Sequence, residues 1–547
     1  MASDQWPVIS KNAAPCHCPL PSDHSAADHR PLTTGHSAAA AAAPVHCPLT
    51  TDHCLLRIEK PEDIRLLDPA AGSGHMLTYA VDLLYLIYEE EGYAPSEIPQ
   101  KILRHNLYGL EICPRAAQLA ELALVLKARE KSRRFFQPEN LVRPQIIELR
   151  DVRFAENELP VQWLVASDQW PAGNVPAMVD ILHDLNLFTA AKNFGSLLQP
   201  KLSERQLGFL KQRVTGHWPL TPDHLLAHAV RERLLRVLEQ AEALTQRYHI
   251  VVANPPYMGS GGMTLRVKDF AKNGFPDSKS DLFAMFMERA TSLTSKSGYI
   301  AMVTMQSWMF LSSYEALRAK LLKNACFVTF LQIGYNSFPE MNSKIAQACA
   351  FVAKNQFQKK AGVYFNLNVA PQSADKELVF LEQLQSDAGI FGYASDFQKI
   401  PGSPIAYWIS KEMLSLYAGS LLGDYATPKQ GLATGDNAQF LRYWHEVSLH
   451  KFERESSSID ESIKSRRKWF PTTKGGSFRR WSGNQDYVVN WENDGEEIRR
   501  FGLETGRARS RAQNTAFYFA TGATWSTISS GPISFRRKRP PGDRLGV

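Results

Sequence analysis

Ile64-Arg65-Leu66-Leu67-Asp68-Pro69-Ala70-Ala71-Gly72-Ser73-Gly74 reads as a short apolar strand running into a turn of small residues. Leu77, Val81, Leu84 and Tyr85 follow at helical spacing. Strand, small turn and helix open a parallel α/β unit. Gly72 and Gly74 admit a ligand close to the backbone, where a Cβ would collide. The glycine spacing is not G-x-G-x-x-G, so a dinucleotide site is not read here.

Working outward, Asn106-Leu107-Tyr108-Gly109-Leu110-Glu111-Ile112 is the next strand, ending in an acid. A carboxylate there suits both hydroxyls of a ribose. A helix is expected over Pro114 to Lys127, with Ala117, Leu119, Ala120, Leu122 and Leu126 as its apolar positions. Arg143 to Asp151 is read as a third strand, interrupted by Pro144, with Asp151 at its end. Much later the apolar run Ile250-Val251-Val252-Ala253 meets Asn254-Pro255-Pro256-Tyr257. Proline fixes φ, removes a donor and holds the preceding residue extended. Asn254 is thereby presented beyond the strand, with carbonyls and an aromatic ring beside it. Such acceptors suit a planar amine, an adenine or cytosine amino group among them. A protein amide or an RNA base fits the same loop.

The remaining chain organises around these two stretches. Residues 155–247 read as a helical insertion, with helices over Gln199–Val214 and Leu225–Tyr248. Gly259 to Gly262 is expected to be mobile without a ligand. A helix over Asp281–Thr294, a strand over Gly298–Met305, a helix over Tyr314–Leu322 and strands over Phe327–Ile333 and Ile345–Val352 complete the alternation. The fold class expected is α/β, a doubly wound, mainly parallel sheet. We divide the chain into a tail (1–54), a cofactor-binding half (55–154), the insertion (155–247), a catalytic half (248–420) and an α+β target-recognition region (421–547).

Asp68-Pro69-Ala70-Ala71-Gly72-Ser73-Gly74 and Asn254-Pro255-Pro256-Tyr257 resemble the cofactor and catalytic motifs of amino-DNA methyltransferases that use S-adenosylmethionine, in the gamma order. Asn at the first catalytic position is typical of the adenine enzymes. Gly431 to Asn437 resembles the start of their target-recognition region. Lys474-Gly475-Gly476-Ser477-Phe478-Arg479-Arg480-Trp481-Ser482-Gly483-Asn484 and Gly522-Ala523-Thr524-Trp525-Ser526 resemble the adenine-specific methyltransferases of BREX phage-defence systems. The resemblance spans roughly residues 60 to 538. It implies that Asp68, Ala70, Gly72, Gly74, Glu111, Ile112 and Asp151 hold the cofactor, and that Asn254, Pro255, Pro256 and Tyr257 act on the base. It also implies duplex DNA and other phage-defence proteins as partners, and no metal. The family has a longer N-terminal region whose aromatic segment closes the cofactor pocket. None is found between Met1 and Glu62, and the match ends after Lys538, so the sequence is read as part of a longer enzyme. A chain keeping the fold without a complete pocket would bind DNA without catalysis.

Composition fits this reading. The 547 residues exceed one domain and are rich enough in apolar side chains for a sizeable core. There is no apolar run of membrane-spanning length and no basic-apolar-cleavage start, so a cytoplasmic protein is read. Seven cysteines argue against a disulfide framework, and Cys113, Cys326 and Cys349 are expected to be buried thiols. In the tail, His17-Cys18-Pro19-Leu20 recurs as His46-Cys47-Pro48-Leu49, at spacings of no standard zinc finger. From Leu441 to Val547, 20 Lys and Arg face 12 Asp and Glu, an excess of 8 positive charges against +7 for the whole chain. Arg466, Arg467, Lys468, Lys474, Arg479, Arg480 and Trp481 interleave cations with an aromatic, a pattern suited to phosphates and bases.

Overall fold

From Ile250 to Ala253, the residues of the strand before Asn254 alternate between two cores. Val251 and Ala253 face one cluster and Ile250 and Val252 pack on another, while Tyr248, across a register shift, joins the first. Leu66 and Leu67 of the first strand divide between the same two clusters. Period-two alternation between two apolar interiors is what a strand covered on both faces requires. The computed structural model describes residues 58–155, 175–216, 224–337, 347–526 and 532–538, with isolated positions 56, 158, 159, 164 and 170. The repeat-bearing tail expected over 1–54 lies outside the described residues.

The chain separates into two compact units, Met1–Ile409 and Ser410–Val547. In the first, the strands are β1 (Leu66–Asp68), β2 (Leu107–Glu111), β3 (Gln145–Glu148), β4 (Tyr248–Ala253), β5 (Thr294–Met305), β6 (Cys326–Gly334), β7 (Ala348–Lys354), β8 (Ala361–Asn366) and β9 (Ile390–Tyr393). They form one sheet in the order β3-β2-β1-β4-β5-β7-β6-β8-β9. Pairs from β3 through β5, and β6 with β8, are parallel, while β7 and β9 run against their neighbours. The mainly parallel sheet read from the sequence is therefore present. Its first strand sits between β2 and β4, and β4 arrives late in the chain. Arg65 N–H donates to His249 Nδ1 at 3.1 Å across a separation of 184 residues, and His249 and Ile250 N–H both donate to Arg65 O.

The longer described helices of this unit are α1 (His75–Glu90), α2 (Pro114–Lys131), α3 (Met178–Leu187), α4 (Glu204–Gly216), α5 (His224–Thr245), α6 (Leu265–Gly274), α7 (Leu282–Leu293), α8 (Glu315–Asn324) and α9 (Lys376–Gln385). α1 and α2 build one core with Leu66, Leu107 and Ile146. α4, α5, α7 and α8 build the other with Leu67, Leu110 and Val251. α2 turns differently from its expected face. Ala117, Ala120, Leu124 and Ala128 are buried, whereas Leu119, Leu122 and Leu126 are exposed. The reason is close approach: a Cβ on Gly74 would lie 3.1 Å from Ala120 Cβ. Only small side chains fit along that seam. Cys326 and Cys349 are buried, but Cys113 is exposed, because it lies past the end of β2 at the entry to α2. Among the described residues no helix is long and apolar enough to cross a membrane.

The second unit carries β10 (Leu432–Ala433), β11 (Leu441–Tyr443), β12 (Trp469–Thr472), β13 (Tyr487–Asn490), β14 (Arg511–Ala512), β15 (Gly522–Thr524) and β16 (Arg536–Lys538). β11-β13-β12 is an antiparallel sheet, and β10 with β14 and β15 with β16 are antiparallel pairs. Phe440, Phe470, Val489, Trp491 and Ile498 form its core.

Candidate active site

β1 ends in Asp68, whose register partner on β2 is Gly109, and Leu67 pairs with Val251 on β4. Extending these registers brings the Asp68–Gly74 turn, Glu111 and Asn254 to one carboxyl edge of the sheet. That edge is where open α/β sheets bind ligands. Gly74 adopts φ +86 and Gly72 φ +54, and a Cβ on Gly72 would meet nothing within 4 Å. At Gly72 the turn therefore presents bare backbone to open space, whereas Gly74 lies against Ala120.

Asp68 is almost wholly buried, and its Oδ1 accepts Ala70 N–H at 3.0 Å. Burial pushes its carboxyl up to about 7, and nearby Glu111 adds to the shift. A buried carboxylate is costly when ionised, and less so beside a positive charge. Glu111 Oε2 accepts Gly72 N–H at 2.8 Å, and its Oε1 accepts Ile112 and Cys113 N–H at 2.9 and 2.8 Å. A carboxylate has about four acceptor sites. Glu111 thus has room for one further donor rather than the two expected of a ribose. The exposed Ile112 side chain stands beside it.

Asp151 does not end the third strand. β3 stops at Glu148, whose register partner is Glu111, and Asp151 Oδ1 accepts Lys192 N–H at 2.9 Å. The chain just after Lys192 matters more than its sequence suggested. Ser196 donates through Oγ to Pro69 O at 2.5 Å, and a Cβ on Gly195 would lie 3.1 Å from Ile112 Cγ2. Phe194 stacks on Phe270 with centroids 4.1 Å apart. Buried Arg289 fastens this segment, donating to Ser196 O at 3.0 Å, Leu244 O at 2.7 Å and Ser292 Oγ at 2.6 Å. Its burial lowers the guanidinium to about 9. The insertion thus supplies a wall beside the Asp68 turn.

In the proline loop, Pro255 is buried while Asn254 and Pro256 are exposed. Tyr257 Oη lies 2.9 Å from Asn254 Oδ1 and 3.2 Å from Val303 O, both acceptors for its one proton. Its ring meets Phe283 edge-on at 6.1 Å, and burial raises its phenol. Donation to Asn254 orients the amide with its oxygen toward Tyr257 and leaves that oxygen a second lone pair. Asp281, which nothing in the sequence marks as a site residue, anchors the backbone just past Tyr257. Its Oδ1 accepts Met258 N–H at 3.0 Å and Phe283 N–H at 3.3 Å, and burial raises its carboxyl. Leu282 N–H donates to Met258 O, and Ser260 N–H to Ser280 O. The Gly259–Gly262 stretch, expected to be mobile, is tied at its start to residues 280–282.

In the second unit, Arg466, Arg479, Arg480 and Trp481 are exposed. Arg467, Lys468 and Lys474 are half-buried. Lys468 is engaged with Glu492 and Glu497 at 4.0 and 3.8 Å, and Lys474 lies 4.9 Å over the Tyr487 ring. The exposed arginines are therefore better placed for phosphates than Lys468.

The chain is similar to known proteins over most of its length. Residues 105–338 match the family described as Eco57I restriction-modification methylase. The adenine-specific methyltransferase BrxX of Escherichia coli O9:H4 (strain HS) is 40% identical over 497 residues, covering 87% of this chain and 39% of BrxX. The adenine-specific methyltransferase PglX of Lacticaseibacillus casei (strain Zhang) is 37% identical over 508 residues, covering 87% of this chain and 39% of PglX. A solved DrdV–DNA complex is similar over 64% of this chain and 28% of DrdV, at 13% identity and a TM-score of 0.35, and nothing further rests on it. The chain is thus a relative of the BrxX and PglX adenine-specific methyltransferases, spanning about two fifths of their length and carrying a match to the Eco57I restriction-modification methylases.

Proposed function

We propose that this chain is the methyl-transferring part of a site-specific DNA adenine methyltransferase of a phage-defence or restriction-modification system. The observation that carries the reading is the placement of β1 between β2 and β4. It sets the Asp68 turn, Glu111 and the Asn254 loop along one edge.

The residues fit S-adenosylmethionine. Asp68 suits its ammonium, the open backbone at Gly72 admits its methionine end, and Glu111 accepts a ribose hydroxyl. Ala70 and Ile112 line the approach, and the Lys192–Leu198 segment, held partly by Asp151, closes the side. When bound, the cofactor supplies an activated methyl group. The protein's own task is then to present and orient an amine. A base inside a duplex must first leave the stack. Asn254 Oδ1 and the Pro255 carbonyl accept the two amine hydrogens, which frees the nitrogen lone pair from the ring. Pro255 and Pro256 keep these acceptors rigid, Tyr257 offers its ring to the base, and Asp281 holds the adjoining loop. The exposed arginines of the second unit neutralise DNA phosphates.

Titration calorimetry with S-adenosylmethionine, together with methyl transfer from radiolabelled cofactor to mixed-sequence duplex DNA, tests the reading. Asn254→Ala is expected to keep cofactor binding and lose transfer by roughly 100- to 1,000-fold, the usual effect of removing one preorganised group. A folded protein that binds no cofactor at millimolar concentration overturns the proposal. So does an Asn254→Ala variant of undiminished activity.

A further inference from the structure

Trp481 is 74% exposed, an unusual state for the largest apolar side chain, since nothing in folding favours it. Its backbone lies at φ +63, a left-handed conformation that residues other than glycine rarely adopt. The surroundings enforce both features. Trp481 N–H donates to Phe535 O at 2.9 Å, and Arg537 N–H donates to Trp481 O at 3.0 Å. The intervening Arg536 is buried, its guanidinium donating to Ser534 and Ser526 hydroxyls at 3.1 and 3.3 Å. At the base of the loop, Lys474 N–H donates to Asn484 O at 3.3 Å and Gly476 N–H to Ser526 Oγ at 3.4 Å. Gly483 makes room for Arg479, whose Cδ would lie 2.4 Å from an added Cβ. The loop is clamped at its base and on one flank, and an indole projects from it.

The neighbours of that indole fix the chemistry of its target. Arg479 and Arg480 precede it and are exposed, and the Arg480 guanidinium lies 5.6 Å over the Phe478 ring. Cations beside a rigid apolar plate match the two needs of entering a base step: phosphates to neutralise and a gap to fill. Backbone strain of this kind is more frequent at sites that bind a partner.

We infer that Trp481 is a wedge that inserts between base pairs of bound duplex DNA. The inference rests on the DNA reading given under the proposed function.

The test uses the full chain and plasmid DNA relaxed by topoisomerase I in its presence. Insertion unwinds the duplex, so the wild type should lower the linking number in proportion to bound protein. Trp481→Ala should bind duplex roughly five-fold or more weakly, the scale of one lost base–aromatic stack. At concentrations giving equal occupancy it should lose most of the linking-number change, and Trp481→Phe should keep most of it. Thermal melts establish that both variants are folded. Equal unwinding by wild type and Trp481→Ala overturns the wedge, as does wild-type binding without unwinding. Absence of any wild-type DNA binding instead overturns the proposed DNA substrate, and the wedge with it.

Discussion

Replacing Asp68 with Asn should make the cofactor-free protein more stable while disabling it. Burial disfavours the ionised carboxyl, so the folded chain keeps this proton up to about pH 7, whereas the unfolded chain releases it near 3.8. The folded pKa is the higher one. Stability is therefore lost as pH rises from about 4 to 7 and is level above that window. A gap of roughly three units amounts to about 4 kcal/mol at pH 8. Asn cannot ionise, and its Oδ1 can still accept Ala70 N–H. Its new amide donors cost about 1–3 kcal/mol if they find no partner. The variant should therefore be more stable than the wild type at pH 8 by about 1–3 kcal/mol. Between pH 5 and pH 8 the difference should grow by about 3 kcal/mol in its favour. Urea unfolding at both pH values reads this directly, and calorimetry should show cofactor affinity reduced roughly 10-fold or more for want of the charge-assisted bond. Unfolding curves whose pH dependence is the same in both proteins would refute the buried-charge argument, whatever the cofactor result.

In the wild type, cofactor affinity should weaken about tenfold per pH unit below 7 and be steady just above it, as Asp68 protonates; a flat profile from pH 5.5 to 7.5 would contradict its role. Asp281→Ala removes the acceptor shared by Met258 and Phe283, and should lower kcat about tenfold with cofactor affinity unchanged, since it touches only the loop after Tyr257. Arg289→Ala strands the carbonyls of Ser196 and Leu244 and should cost about 2–6 kcal/mol in a urea melt, at about 1–3 for each buried acceptor left without a donor. Reversing the charge at Arg479 and Arg480 together should flatten the dependence of log DNA affinity on log salt by about two units or more, and an unchanged slope would mean these side chains are merely solvated.

The sheet was legible in part, from its apolar runs. β1, β2, β4, β5 and β6 stand out as runs bounded by turns, and each is present. β8 and β9 were passed over, and neither length nor glycine accounts for it, since β1 has three residues and β2 carries Gly109; they become strands by pairing with β6 and with each other. The site divides the same way. The Asp68 turn and Asn254 announce themselves because glycine and proline constrain the backbone locally. Ser196, Lys192 and Asp281 look ordinary in sequence. Their importance comes from partners 127, 41 and 23 residues away. Leu119, Leu122 and Leu126 show the converse. Their period was right and their direction wrong, because a close seam at Gly74 selects alanine for the inside of α2.

The bonds from Arg65 to His249 bear on how the molecule is made. At roughly 5–20 residues per second, a ribosome needs on the order of 10 to 40 seconds to travel the 184 residues between them. Throughout that interval β1 and β2 can pair, yet one margin of β1 has no neighbour. An unpaired strand margin invites pairing with other chains. The half of the site built on Asp68 and Glu111 can therefore take shape on a nascent chain well before Asn254 has been synthesised. Cofactor bound to that half would add stability by mass action during the period in which the unfinished sheet is most exposed.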